Sequence, residues 1–478
     1  MNINRNSSIR GNTLILTVVV TGLIGFLLAA YLGLVKSQNV ATMRSQAWNA
    51  SIPVIEAGIE DALTHINTRL TNELTGDGWE KRGNIYITRR WVGQDYYDVT
   101  ISNWVVGMVS NSPIIESRGY VVAPLIVASA PLPFFANVTP SIQPSESNKK
   151  YVARGIRCKT VQDWLFSKGM VAKGPIDLNG RNIETDSFDS SDPLHSTNGV
   201  YDASTRKDNG DIATNSGVTN SLSIGNAQIY GRVSTGPGGL PDIGPQGCVG
   251  DFAFHTVNPN QGDIQTGYFK DDMNVDFSEV KNPFTGGWST PGPEVVDGVA
   301  YAYVLRGPGD YVLTDLTLSG VGPAAAQMLI IGENVRLKVM STLDITGNGA
   351  IIISTNSSLQ MFVYAPVVNL GGNGVINYAG NALDFEYWGM KSNTKLNFFG
   401  NGTFTGTIYA PEADFNLVGS GSTTYDFMGA SITKSVTMNG NFRFHYDEAL
   451  AKYGPPRGYI VTSWDEMTPT EVAQGPTW

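Results

Sequence analysis

A strand-length run closed by a glycine-rich turn recurs along the second half of this chain, and few folds can absorb that pattern. "LDITGNG" (343–349), "VNLGGNG" (368–374), "LNFFGNG" (396–402), "FNLVGSG" (415–421) and "VTMNGNF" (436–442) share one shape. Turns fall near Gly320, Gly347, Gly372, Gly400, Gly419 and Gly440, at intervals of 27, 25, 28, 19 and 21 residues, with earlier ones near Gly180 and Gly225. A supersecondary unit repeated every 20–30 residues is the mark of stacked repeats. Glycine supplies the positive φ of a tight corner, and asparagine tolerates it. The runs between, such as "IIIS", "LQMFVYAP" and "TFTGTIYAP", lack helical periodicity. The pattern therefore predicts a mainly β protein with a large right-handed parallel β-helix (solenoid), apolar side inward. The competing fold is a β-sandwich, which would show hairpins rather than one repeated coil.

Composition agrees. Of 478 residues, 54 are Gly and only 15% are charged, while 41% are hydrophobic. A turn-rich β protein with a substantial core has this profile. A net charge of −10 argues against a nucleic-acid partner held through its phosphates.

The chain divides as follows. Residues 1–11 read as a leader, 12–75 as a membrane and amphipathic helix, 76–135 as a small α/β head rich in strand, and 136–165 as a linker. Residues 166–455 form the β-helix, with long loops at 186–217 and 236–300, and 456–478 form an exposed tail. The uncharged stretch 11–35, "GNTLILTVVVTGLIGFLLAAYLGLV", reaches ~37 Å as a helix, enough to cross a hydrocarbon core of ~30 Å. Beyond it, Ile55, Ile59, Ala62, Ile66 and Leu70 share one helical face. Pro53 should break or kink the helix just upstream.

"SSIRGNTLILTVVV" and "IPVIEAGIEDAL" resemble the start of a PilX-like type IV minor prepilin or pseudopilin, with Glu56, Ala57 and Gly58 on the shared "EAG". The stretches "VAKGPIDLNGRNIETDSFDSSDP", "GTIYAPEADFNLVG" and "FRFHYDEAL" resemble an uncharacterised extracellular bacterial domain found behind such N-termini. The resemblance implies cleavage between Gly11 and Asn12 by a prepilin peptidase. It further implies inner-membrane insertion with the C-terminal part in the periplasm or in a surface filament, and other pilin or pseudopilin subunits as partners. It implies a structural role in a type IV filament or a type II secretion-like system, for assembly, adhesion or recognition of a surface glycan. At the fifth mature position, where many pilins carry Glu, stands Leu16, which points to a tip-type subunit.

Motifs for chemistry are sparse. Asp186, Asp189, Asp192, Asp202, Asp208 and Asp211 crowd one Ser-rich stretch. Ca²⁺ is the cofactor such oxygen ligands would hold, and the competing reading is a solvated loop of Asx-turns. His445, Asp447 and Glu448 are a second metal candidate. Asp384/Glu386 and Glu412/Asp414 are i,i+2 acid pairs of the kind a polysaccharide-cleaving enzyme needs on one strand face. The alternative function is accordingly a membrane-anchored, extracytoplasmic β-helix that binds or cleaves polysaccharide. Without a recognised catalytic motif, no catalytic residue is assigned and no enzyme is expected. Cys158 and Cys248 are the candidates for a disulfide outside the cytoplasm; two buried thiols are the alternative.

Protein recovered from membranes is expected to start at Asn12, and Gly11→Leu is expected to leave it unprocessed. N-terminal sequencing decides this: an intact Met1, or a start near Ser45, overturns the prepilin reading.

Overall fold

The computed structural model describes residues 12–68, 74–105, 112–123, 151–180, 182–399, 403–419 and 425–476. Gly11, Leu70, the Pro/Ser-rich stretch 137–150 and the turns at 400–402 and 420–424 lie outside them. The chain separates into two compact units, Met1–Asp163 with Pro456–Trp478, and Trp164–Pro455.

The first unit is built on one helix, Asn12–Thr68, of 57 residues. At ~1.5 Å per residue it is ~85 Å long. Its first part is apolar and bare, with Leu14 71% and Phe26 73% exposed, and it is long and apolar enough to cross a membrane. The helix runs through Pro53 without a break, so of the expected break or kink the break does not occur. A proline removes one backbone donor, and the buried neighbours Val54 and Ile55 hold the turn against a sheet. Ile55, Ile59, Ala62 and Ile66 form the buried face.

That face packs on a six-stranded sheet ordered Glu80–Arg82, Ile85–Val92, Asp95–Ser102, Ile114–Val122, Tyr151–Trp164, Pro456–Glu466. The first five strands pair antiparallel. Glycines let helix and sheet approach. A Cβ on Gly58 would lie 2.4 Å from Ser117 Oγ and 2.7 Å from a Val99 methyl, and one on Gly119 2.8 Å from Ile55. Ser117 Oγ then donates to the Ile55 carbonyl at 2.9 Å. Two boundaries are corrected here. Residues 151–164 of the expected linker are a 14-residue strand, and the expected exposed tail supplies the edge strand Pro456–Glu466 and a capped helix, Pro469–Ala473. Asn67 secures that edge: Tyr459 N donates to Asn67 Oδ1 at 2.7 Å, and Asn67 Nδ2 donates to the Tyr459 carbonyl at 3.2 Å.

In the second unit the expected right-handed β-helix solenoid, coil following coil along the sequence, is overturned by the pairing. From Gly309–Leu318 to Tyr425–Asn439 successive strands do pair in parallel. The earliest strands, however, join the latest: Met170–Ala172 and Ile176–Asp177 pair with Tyr425–Asn439, and Glu184–Phe188 pairs with Phe442–Asp447. A closed, mainly parallel wall with extra strands results, around one apolar core. A repeat spacing says that neighbouring runs pair, but not that first meets last. The expected loop 236–300 also contains wall strands, Cys248–Gly250 among them, paired with Gln228–Tyr230. It ends in an antiparallel hairpin, Glu294–Val296 with Val299–Tyr301. The hairpin turns on Asp297 and Gly298, at φ 50 and 80, the pair a tight two-residue turn prefers.

The repeated motif has a double function in the wall. Its apolar residues stack inward in register: Leu343 on Val368, Leu396, Phe415, Val436 and Ile176. The polar residue between them stacks as a ladder on the other face. Asn369 donates to Asp344 at 3.0 Å, Asn397 to Asn369 at 2.9 Å and Asn416 to Asn397 at 3.1 Å. At the corner, Gly347 has φ +61, and a Cβ there would sit 2.3 Å from the Gly320 carbonyl oxygen.

Gly58→Val is expected to destabilise the first unit by about 1–3 kcal/mol through overpacking. Gly76→Ala, where a Cβ meets nothing within 4 Å, should leave it unchanged. Thermal melts of the two variants check the pair of outcomes.

Candidate functional site

Polar chemistry in the second unit gathers where Phe442–Asp447 lies against Glu184–Phe188. Register sets His445 opposite Asp186, and Nδ1 lies 2.5 Å from Asp186 Oδ1. The Tyr201 ring stacks on the imidazole at 3.7 Å, and its hydroxyl donates to Asp186 Oδ2 at 2.8 Å. Arg206 donates to the same oxygen at 3.1 Å and pairs with Glu184. His445 is 1% exposed, and its Nε2 faces Asp426 at 3.5 Å. Burial disfavours the imidazolium, but the Asp186 and Asp426 carboxylates outweigh it and hold the ring above its ordinary pKa. A general base needs one ring nitrogen open to a reacting proton. Here both nitrogens face carboxylates, and among the described residues no nucleophile hydrogen-bonds to the ring. The arrangement works as a clamp between early and late strands.

A second cluster adjoins in sequence. Lys452 pairs with Asp189 at 2.5 Å and Lys207 with Glu448. Asp447 is fully buried; its Oδ1 accepts from Ser190 N at 3.0 Å and Ala449 N at 3.1 Å. Burial raises its pKa. Ala449 precedes the short helix Leu450–Tyr453 without a side-chain cap, and Glu448 and Lys452, four residues apart, pair with Lys207 and Asp189 rather than with each other.

The six aspartates expected to hold calcium each have partners within the protein. Asp186 and Asp189 are engaged as described. Asp192 accepts from Leu194 N at 2.9 Å, and Asp202 from Ser204 N at 2.9 Å and Thr197 Oγ1 at 2.8 Å. Asp208 accepts from Phe252 N at 3.2 Å, and Asp211 from Arg232 N at 2.8 Å. Each carboxylate is engaged by a turn, an ion pair or the backbone N–H of a neighbouring segment. Among the described residues no three His, Cys, Asp or Glu side chains form a metal-binding group, which also removes the His445–Asp447–Glu448 candidate.

The members of the two acid pairs have different surroundings. Glu386 is held by Gln360 at 2.9 Å and Trp388 at 3.0 Å, and burial raises its pKa. Asp384 ends a short 3-10 helix instead, and burial and Glu333 push it up to about 6. Glu412 pairs with Lys173 at 2.6 Å, and Asp414 with Lys434 at 3.2 Å. The expected disulfide is corrected: Cys158 and Cys248 are free, buried thiols, each in the core of its own unit. Burial pushes Cys158 up to about 11. The His445–Asp186 contact was missed at the sequence level because its partners are 259 residues apart.

His445→Gln is expected to cost the second unit about 3–5 kcal/mol, because it leaves Asp186 buried with its charge less compensated. The sign follows from a folded pKa raised above the unfolded ~6.5: the contribution is full below about pH 6.5 and is lost as pH climbs through the raised value. Urea melts of the full chain from pH 5 to 9 should show a wild-type minus variant difference that shrinks upward in pH. A difference flat across that range would contradict the clamp.

Residues 297–453 match a protein family described as a domain of unknown function, DUF7305. No curated protein matches the chain. Among solved structures, a competence-associated pilin, ComZ from Thermus thermophilus, aligns over 89% of this chain and 98% of its own at 11% identity, with a TM-score of 0.23. A similarity at that level leaves fold and function to be argued from the residues.

Proposed function

We propose that this chain is a pilin-like structural subunit, anchored by its N-terminal helix and carrying the second unit as its surface for partners. One observation carries the reading. A single helix is apolar and bare from Leu14 to Leu34, then buries one face from Ala47 to Ile66 under an antiparallel sheet. A bare apolar stretch of that length needs lipid or the apolar helices of neighbouring subunits around it. The "EAG" at 56–58 fits the packing: Glu56 is exposed, while Gly58 is the point of closest approach to the sheet. The "SSIRGNTLILTVVV" resemblance adds a prepilin peptidase and sister subunits as partners, with the inner membrane or a surface filament as the location.

The finer role is that of a minor, tip-type subunit. A charge in hydrocarbon is costly unless paired, and Leu16, 62% exposed, offers a neighbour's terminal amine no charge. A subunit of this kind fits at the leading end of a filament, where that pairing is not required. The second reading, an anchored polysaccharide-binding or -cleaving protein, has less support in its cleaving arm, because the acids of the two pairs are engaged with different partners. Its binding arm does not depend on those acids.

Quantitative mass spectrometry of sheared filaments is expected to find this chain at low copy relative to the main subunit. Abundance equal to the main subunit would rule out the tip placement, and absence from filaments would favour the anchored binding protein.

A further inference from the structure

One cleft in the second unit has a lining unlike any catalytic or metal site. It measures about 580 Å³ and is lined by Asn179, Asn182, Asn226, Gln228, Gln246 and Asn260, with Glu184 and Arg443. It lies where the strands Ile176–Asp177, Leu222–Gly225 and Pro241–Ile243 give way to Glu184–Phe188, Gln228–Tyr230 and Cys248–Gly250. Small-ligand sites span about 300–1,000 Å³, so the volume is adequate. We propose that this cleft binds a neutral oligosaccharide.

The argument is one of matched groups. A primary amide offers two donors and an acceptor side by side, and a sugar hydroxyl offers one donor and an acceptor. Six amides in one cleft therefore present the array that a run of hydroxyls can use in both directions. Part of the array is already spent on its own shape: Gln228 Nε2 donates to the Gln246 carbonyl at 2.7 Å and to Asn260 Oδ1 at 3.3 Å, and Gln246 N donates to Asn226 Oδ1 at 3.1 Å. These bonds fix the side chains of Gln228, Asn226 and Asn260 in place. Asn179 Nδ2 donates to Asp177 Oδ1 at 2.6 Å and to Ser223 Oγ at 3.1 Å, and Asn182 Nδ2 to Asn441 Oδ1 at 3.3 Å, so these two amides are engaged as well. Among the described residues, the Gln246 amide, the amino groups of Asn226 and Asn260 and the Arg443 guanidinium make no side-chain hydrogen bond. Pre-set polar groups lose little freedom on binding, which favours affinity.

Among the described residues the charges around the cleft are balanced, which gives an acidic ligand no advantage. Arg443 stands in register between Asp426 and Glu184. Glu184 is paired with Arg206, and Asp426 faces His445. The guanidinium is therefore a donor in a locally balanced field rather than an isolated positive charge, on a chain of net charge −10. Because no aromatic ring lines the cleft among the described residues, they offer no face for a sugar to stack on, and affinity should be modest.

The proposal rests on second-unit residues and on none of the pilin reading. Binding to the purified full chain can therefore fail while filament incorporation succeeds, and the reverse. Calorimetry with cellohexaose, maltohexaose and chitohexaose, against hexagalacturonate as the acidic comparator, tests it. At least one neutral hexasaccharide should bind, and more tightly than hexagalacturonate. Gln246→Ala removes a free amide on an exposed side chain. Asn260→Asp removes the amino group but keeps the acceptor for Gln228 and a side chain suited to its φ of 55. Each should weaken binding about fivefold, the effect of one lost hydrogen bond, with an unchanged melting temperature. No binding by any neutral oligomer, tighter binding of hexagalacturonate, or binding that neither variant weakens would each overturn the proposal.

Discussion

The pairing of Val436 with Ile176 holds the second unit together. It joins a strand near the end of that unit to one near its beginning, and through it the inward apolar row runs unbroken from Leu343 to Ile176 and on to Leu222. Burial of such a row, at ~25 cal/mol per Å² of apolar surface, is the main favourable term for a wall with few charges. The same closure places Glu184–Phe188 beside Phe442–Asp447, so the His445–Asp186 contact follows from it. Aromatic stacking reinforces the seam: Phe427 lies 4.5 Å from Phe404 and 4.6 Å from Phe444, nearly parallel to both.

Closure also governs the polar groups. A buried carboxylate is costly unless bonded, and the stretch 186–211 is folded against the seam rather than hanging free. Its aspartates are therefore consumed by turns and ion pairs, each with a partner at hydrogen-bond distance. That consumption explains why an acid-rich sequence yields no metal site among the described residues. Where the corner carries amides instead of acids, there is no such demand for neutralising partners, and several donors stay open to a ligand.

The first unit obeys a different constraint. Its core is only as thick as the gap between helix and sheet, and Gly58 and Gly119 set that gap. The sheet is completed by a strand that arrives almost 300 residues after its neighbour, Tyr151–Trp164 being followed by Pro456–Glu466. The Asn67 amide fixes that late strand by two hydrogen bonds to Tyr459. The second unit is thus inserted between two adjacent strands of the first, and both of its chain ends return to one sheet.

Much of this was legible in the residues. The apolar run after Gly11, the face at Ile55, Ile59, Ala62 and Ile66, the predominance of strand and the turn glycines are local properties, carried by composition and periodicity within tens of residues. The motifs at 343–349, 368–374, 396–402, 415–421 and 436–442 implied parallel stacking for the same reason. What they could not carry was which strand pairs with which when hundreds of residues intervene. Apolar patterning makes every inward run an acceptable neighbour for every other, so the solenoid reading and the closed wall share one sequence signature. Only the tertiary structure decided that Ile176 meets Val436, that Asp186 meets His445, and that 151–164 and 456–466 share a sheet. Each is a pairing between distant positions, and its energy exists only once the intervening chain has folded.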